Sequence, residues 1–177
     1  MENQKVTAKK FVLNYGLILG IISVIFGVVM YVTNVYLNPS IIYTIIGFLI
    51  LITVISLAIK AFKTENGGFL SLSEALKVGI GVAVIGGIIA ALWSFVLMNY
   101  VEPDYMNQMM EVQREKMIEM QPDMTEAQLN SAAEMSSKFS SPLMVMAFSL
   151  IGNLFFGLVI SLIAGLIMKN NNPYDEA

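Results

Sequence analysis

Residues 142–168 read PLMVMAFSLIGNLFFGLVISLIAGLIM, a run of 27 residues without a charged side chain. A helix crosses the hydrocarbon core of a bilayer with about 20 apolar residues, and it pairs its backbone N–H and C=O groups internally. The run exceeds that length. It therefore predicts a membrane-spanning helix and decides the fold class of the chain.

Three more segments towards the N-terminus have the same character. Residues 11–36 and 78–101 contain no charge, and residues 41–62 contain only Lys60. The first segment follows several lysines, as a secretory signal does, but it is too long for one and lacks an A-x-A cleavage site. We therefore expect an all-α, polytopic protein with four transmembrane helices, forming a single membrane domain over residues 1–177.

The composition excludes several functional classes. Of the 177 residues, 56% are hydrophobic and 13% are charged, whereas about 25% of a soluble domain is charged. The chain contains neither His nor Cys, which rules out a histidine general base, a thiolate nucleophile, a Cys/His zinc site and a disulfide. The net charge of −3 offers no basic surface for nucleic acid. We expect no enzymatic activity, no cofactor, no bound metal and no nucleic-acid partner.

The basic residues are unevenly divided between the two sides of the membrane. One side has seven, near both termini and in the loop between the second and third spans: Lys5, Lys9, Lys10, Lys60, Lys63, Lys77 and Lys169. The other side has residues 102–141, with three basic and eight acidic residues. Loops rich in Lys and Arg stay in the cytoplasm. We therefore expect both termini to be cytoplasmic, in the cell membrane, or in the inner membrane if the cell has two.

Two capping motifs predict helix starts outside the spans. Ser71-Leu72-Ser73-Glu74 is a capping box, in which Ser71 Oγ accepts from the Glu74 amide and the Glu74 carboxylate accepts from the Ser71 amide. The third helix is therefore expected to begin before the membrane. Thr125-Glu126-Ala127-Gln128 repeats the motif shortly after Pro122, which ends the preceding helix.

The loop of residues 102–141 is expected to form an amphipathic helical hairpin, whose first helix has Asp104 as its N-cap. One face of that helix is a methionine stripe, made of Met106, Met109, Met110, Met117 and Met120. We interpret the stripe as a surface for lipid or for a protein partner, because methionine packs adaptably. Cu(I) binding by the thioethers is an alternative.

Small and weakly polar residues recur at helical spacing within the spans. Such rows let helix backbones approach closely in lipid. The rows contain Gly16, Gly20 and Gly27 in the first span, Gly87 and Ser94 in the third, and Ser149, Asn153, Gly157, Ser161 and Gly165 in the fourth. They are candidates for packing within the bundle, for a homo-oligomer interface or for contact with a membrane-protein partner.

Asn153 is the most informative polar residue, because an unpaired amide is costly in the middle of a span. The hydrogen-bond partners expected for it are Ser94, Asn14, Ser23 or Ser56. The alternative is that Asn153 coordinates a solute. No acidic or basic residue lies in the first, third or fourth span, which argues against proton-coupled transport.

Two motifs at the ends of the third span carry a family resemblance. Residues 67–79 read GGFLSLSEALKVG, and residues 101–105 read VEPDY. With these motifs the chain resembles the bacterial membrane proteins of the domain-of-unknown-function family 4199 over nearly its whole length. The resemblance implies a four-helix membrane protein, and it assigns no activity and no catalytic residue.

Two functions from different classes remain open. The favoured one is a structural or accessory membrane protein whose outer hairpin binds a partner or senses the envelope. The alternative is a small channel or carrier for an uncharged solute, lined by Ser94, Asn153 and Ser161. A continuous cavity at Asn153 would favour transport, whereas an Asn153 paired with a neighbouring helix would favour the scaffold.

Overall fold

The computed structural model describes residues 7–171; Lys5, one of the residues that predict the orientation, lies outside them. This part of the chain is helical almost throughout. Its elements are α1 (Ala8–Val32), α2 (Ile41–Glu65), α3 (Leu72–Val96) with a π-helical turn (Leu97–Val101), α4 (Tyr105–Met120), α5 (Glu126–Phe139) and α6 (Pro142–Met168).

Four of these helices are long and apolar enough to cross a membrane: α1, α2, α3 with its π-helical turn, and α6. Helices α4 and α5 are shorter and form a hairpin between the third and fourth spans. Within the described residues there is no strand, only one isolated antiparallel bridge. The predicted all-α, four-span membrane fold with a helical hairpin is confirmed.

Both predicted capping boxes are present. The Ser71 amide donates to the Glu74 carboxylate at 2.8 Å, and the Glu74 amide donates to Ser71 Oγ at 3.3 Å. The Thr125 amide donates to Gln128 Oε1 at 2.9 Å, and the Gln128 amide donates to Thr125 Oγ1 at 3.4 Å. These helix starts were predictable because the hydrogen bonds of a capping box are all formed within four consecutive residues.

Two local predictions were wrong. The first span ends at Val32 rather than at residue 36, because the chain leaves the helix at Thr33 and Asn34 takes a left-handed backbone with φ 56°. Asp104 precedes α4, but its side chain does not cap the helix. Its backbone lies at φ −87° and ψ 4°, away from the extended conformation of a capping residue, and its carboxylate accepts from Asn107 Nδ2 at 2.6 Å.

Helix α3 is the centre of the bundle and packs mainly between α1 and α6. The core is filled by fully buried side chains from α2 and α3 and the loop between them, including Ile55, Ile59, Phe62, Leu70, Val78 and Val82. Helix α2 contributes to this core only from its second half, since all its buried residues lie between Val54 and Phe62. Its first half contributes no buried residue, and only Ile50 and Leu51 at its end pack against the core as partly buried side chains.

The loop between α2 and α3 is fastened to the end of α6. Leu70 and Asn170 exchange two backbone hydrogen bonds, of 2.8 and 2.9 Å. Gly67 and Gly68 precede this bridge with φ values of +68° and +85°, a conformation that glycine adopts without steric cost. The Lys63 ammonium donates to the Met168 carbonyl at 2.8 Å, where a cation complements the C-terminal end of the α6 dipole.

Candidate functional site

The small residues of α6 lie against α3 in a regular antiparallel register. The pairs in contact are Asn153 with Gly87, Gly157 with Ala83, Ser161 with Gly79, and Gly165 with Ala75, and in each pair the residue numbers sum to 240. Each step of four residues along α6 thus meets a step of four along α3. The backbones approach so closely that a side chain on any of these glycines would collide with its partner.

The glycines of α1 lie against the opposite face of α3, in a parallel register. Gly16 faces Ile85 and Gly20 faces Ile89, so that both pairs are 69 positions apart in the sequence. Further along, Gly27 faces the indole of Trp93. The seven residues of α1 and α6 in these contacts therefore pack onto α3 within one chain.

The serines proposed to line a channel are satisfied within their own helices. Ser161 is fully buried, and its hydroxyl donates to the Gly157 carbonyl. The Ser94 hydroxyl donates to the Ala90 carbonyl at 3.2 Å. The structure does not bring Ser94, Ser161 and Asn153 together around one cavity.

Asn153 instead lies in a cleft of about 370 Å³ between α1, α2 and α6. The lining is mostly apolar and includes Phe26 and Met30 from α1, Tyr43 and Phe48 from α2, and Ser149 and Phe156 from α6. None of the predicted partners hydrogen-bonds to Asn153 within residues 7–171. The cleft involves the first half of α2, which contributes no buried residue, and Asn153 is placed on its α6 side.

The methionine stripe of α4 is divided by its surroundings. Met106 and Met109 pack against a small second core of Leu97, Met98 and Tyr105, where α3 ends and α4 begins. Further along the helix, Met110 and Met117 are half-buried, and Met120 is 81% exposed. The start of α4 is therefore held by the bundle, and its far end is free of it.

An aromatic cluster that the sequence did not predict fixes this junction. Tyr36 stacks on Tyr105 with ring centroids 5.8 Å apart, and Tyr31 lies 5.2 Å from Tyr36. The Tyr36 hydroxyl donates to Gln108 Oε1 at 3.2 Å, and Gln108 Nε2 donates to the Glu102 carboxylate at 2.8 Å. The sequence contains no local signal for this cluster, because Tyr36 can turn towards α4 only since α1 ends early, at Val32.

Burial raises the pKa of Tyr105 above its ordinary value of 10.0, and neighbouring Tyr36 adds to the shift. Burial also raises the pKa of Tyr36, with the Glu102 carboxylate as the second cause. Both phenols therefore stay protonated at neutral pH, which keeps the Tyr36 hydroxyl available as a donor to Gln108.

Acidic side chains are not gathered into a metal site in the described part of the chain. No group of three or more Asp, Glu, His or Cys residues is placed to hold a metal ion there. The ion pair between Lys10 and Glu65, at 3.1 Å, lies at the other end of the bundle from α4. The geometry thus offers packing surfaces, the cleft at Asn153 and an exposed hairpin.

These features define an all-α, multi-pass membrane protein whose third span is the packing centre. Residues 14–170 match the family model described as Protein of unknown function (DUF4199), and the chain belongs to that family. The resemblance carried by the motifs around the third span is thereby confirmed. No curated protein and no solved structure matches the chain significantly.

Proposed function

We propose that this chain is a structural or accessory protein of the bacterial cell membrane, and that the hairpin of α4 and α5 binds a protein partner. The observation that carries the proposal is the asymmetry of α4. Its first turns are anchored in the second core, whereas Ile118 and Met120 at its far end are 46% and 81% exposed. An anchored helix that presents apolar side chains is typical of a recognition surface.

Charge favours a protein over a lipid surface as the occupant of this hairpin. Residues 102–141 contain eight acidic and three basic residues. Bacterial membrane surfaces carry anionic lipid and repel a segment of that charge, whereas a basic protein surface attracts it. The proposed partner is therefore a membrane or envelope protein with a basic face.

Photocrosslinking in native membranes tests this proposal. A photoreactive residue at Met120 is expected to yield a discrete protein adduct that mass spectrometry identifies. The matched control is the same residue at Glu111, which is exposed on α4 but lies off the methionine stripe. Adducts with lipid alone at Met120 would contradict the proposal and make α4 a helix that lies on the membrane.

The proposal includes the orientation expected from the lysines, with both termini in the cytoplasm and the hairpin outside. Since the chain has no native Cys, single cysteines can report it. Gln128→Cys on α5 should react with an impermeant maleimide in intact cells. Ser73→Cys at the start of α3 should react only after permeabilisation. Both positions are exposed, so the reverse pattern would refute the orientation.

A second candidate function is passage of an uncharged solute, and the carboxamide of Asn153 favours it. This group lines the cleft and has no hydrogen-bond partner in the described residues, so it is free to bind a hydroxyl or carbonyl group. Flux of small uncharged solutes into proteoliposomes, lost on Asn153→Leu and kept on Ser94→Ala, would support it. Equal flux through both variants would remove this candidate.

A further inference from the structure

A second cavity, of about 710 Å³, lies between the beginning of α1 and the end of α2. Helix α1 contributes Phe11, Asn14 and Tyr15, and the α2 residues Leu57, Lys60 and Thr64 lie across from them. The charged residues of this pair of helices occur at these ends. The cavity is therefore placed where a bilayer changes from hydrocarbon to headgroups.

Three donors on this cavity have no acceptor among residues 7–171. They are the ammonium group of Lys60, the carboxamide of Asn14 and the hydroxyl of Tyr15. The Thr64 hydroxyl, by contrast, donates to the Lys60 carbonyl at 3.0 Å. An ammonium, an amide and a phenol together are suited to bind the oxygens of an anion.

The net charge of the side chains around this cavity favours a ligand with a single negative charge. Glu65 also lines the cavity, but its two carboxylate oxygens lie 3.1 and 3.3 Å from the Lys10 ammonium. Lys10 is held further by the ring of Phe11, whose centroid is 5.7 Å away. Lys10 and Glu65 therefore cancel, and among residues 7–171 Lys60 leaves one positive charge on the cavity without an ion-pair partner.

The floor of the cavity is apolar, which distinguishes a lipid from a free ion. Phe11 is 5% exposed and packs edge-on against Phe62 with ring centroids 5.5 Å apart, so the floor is firmly held. Leu57 and Ala61 continue this apolar surface along α2. A free phosphate ion would leave it uncovered, whereas a phospholipid places its glycerol and first methylene groups there.

We propose that this cavity binds the phosphodiester headgroup of an anionic phospholipid from the surrounding bilayer. Lys60 is the ionic partner of the phosphate, and Asn14 and Tyr15 donate hydrogen bonds to its oxygens. Acyl chains extend from the floor along α1 and α2. This site is independent of the partner surface on α4, and of the direction in which the chain crosses the membrane.

Native mass spectrometry of the purified full chain in detergent tests the site. Wild-type protein should retain phosphatidylglycerol about fivefold more than phosphatidylcholine, the preference expected from one basic residue near an anionic surface. Lys60→Gln should remove most of that preference. The matched control is Lys77→Gln, because Lys77 is exposed at the same end of the bundle but does not line the cavity.

These variants distinguish binding in the cavity from a general attraction of anionic lipid to the positive charge at this end of the bundle. Lys60 is exposed and forms no ion pair with a described residue, so Lys60→Gln should leave helicity and Tm unchanged. Asn14→Leu preserves every charge and should lower phosphatidylglycerol retention about two- to threefold through the lost hydrogen bond.

Equal losses in Lys60→Gln and Lys77→Gln, or no loss in Lys60→Gln, would overturn the proposal. Displacement of the lipid by excess inorganic phosphate would identify a free-anion site instead, and would also overturn it.

Discussion

The contact between Gly79 and Ser161 allows a quantitative test of the interface between α3 and α6. A Cβ atom added at Gly79 would overlap Ser161 Oγ, and would lie 2.7 Å from Ser161 Cβ and 3.0 Å from Ile55 Cγ2. Ser161 and Ile55 are fully buried, and the Cβ of Ser161 is fixed to the α6 backbone, so the added atom is accommodated only if the helices shift. Gly79→Ala should therefore separate α3 from α6.

The expected size of this effect follows from two opposing contributions. Overpacking of a filled core costs about 1 to 3 kcal/mol. The greater helix propensity of Ala over Gly favours the variant by up to about 1 kcal/mol. Subtracting the second contribution from the first, we expect Gly79→Ala to lower the free energy of unfolding by up to about 3 kcal/mol, which corresponds to a decrease in Tm of up to about 12 °C.

Thermal unfolding in detergent, followed by circular dichroism, measures this change. Gly152→Ala is the matched control, because Gly152 also lies within a spanning helix and a Cβ added there has no atom within 4 Å. The control should be neutral or up to about 1 kcal/mol more stable.

A second-site change identifies the cause of the loss. Ser161→Gly removes both overlapping atoms and should restore most of the stability lost in Gly79→Ala. Ser161→Ala removes only the hydroxyl and leaves its Cβ 2.7 Å from the added one, so it should restore less. Such coupling between contacting residues is what a double-mutant cycle measures. A Gly79→Ala protein as stable as Gly152→Ala, or an equal rescue by both changes at Ser161, would refute the reasoning.

Three further predictions concern the two ends of the bundle. Gln108→Leu removes the amide between Tyr36 and Glu102, and should lower stability by about 1 kcal/mol in the same unfolding assay; an unchanged Tm would show that the bridge contributes nothing. Because the pKa of Tyr105 is raised in the folded state, its contribution to the free energy of unfolding should be fully present below pH 10.0 and should be lost as the pH rises through the folded-state pKa. Tyr105→Phe has no phenol to ionise at this position, so the variant should lose less stability over the same pH interval. Gly68→Ala introduces a Cβ at φ +85° with no neighbouring atom within 4 Å, so a loss of about 1 kcal/mol is expected from backbone conformation alone, and a Tm equal to that of Gly152→Ala would contradict it.

The features that sequence reasoning predicted correctly are local or follow from the bilayer. An uncharged run such as residues 142–168 has few stable alternatives in hydrocarbon, and the Ser71 capping box involves four adjacent residues. The rows of small residues were visible at a spacing of four, but a spacing within one helix does not show which residue of the neighbouring helix each small residue contacts. Only the folded chain shows that Gly157 meets Ala83.

The features that sequence reasoning missed depend on how whole helices are arranged. The early end of α1 at Val32 was hidden because residues 33–36 are uncharged, so hydropathy continues across the turn. A hydrogen-bond partner for Asn153 was expected because an unpaired amide is costly within a span. Asn153 instead lies on a cleft formed with the poorly buried half of α2. The stack of Tyr36 on Tyr105 joins residues 69 positions apart and leaves no periodic signal.

The bridge between Leu70 and Asn170 has a consequence for synthesis at the ribosome. Its two residues are separated by 100 positions, and Asn170 follows the last span. Helices α1, α2 and α3 can leave the translocon and assemble first, but the α3 face that receives Gly157 and Ser161 has no occupant until α6 emerges. The bridge forms last and closes the bundle. A nascent chain released before α6 would therefore expose a row of glycine and alanine to lipid, a surface that membrane quality control can distinguish from the finished protein.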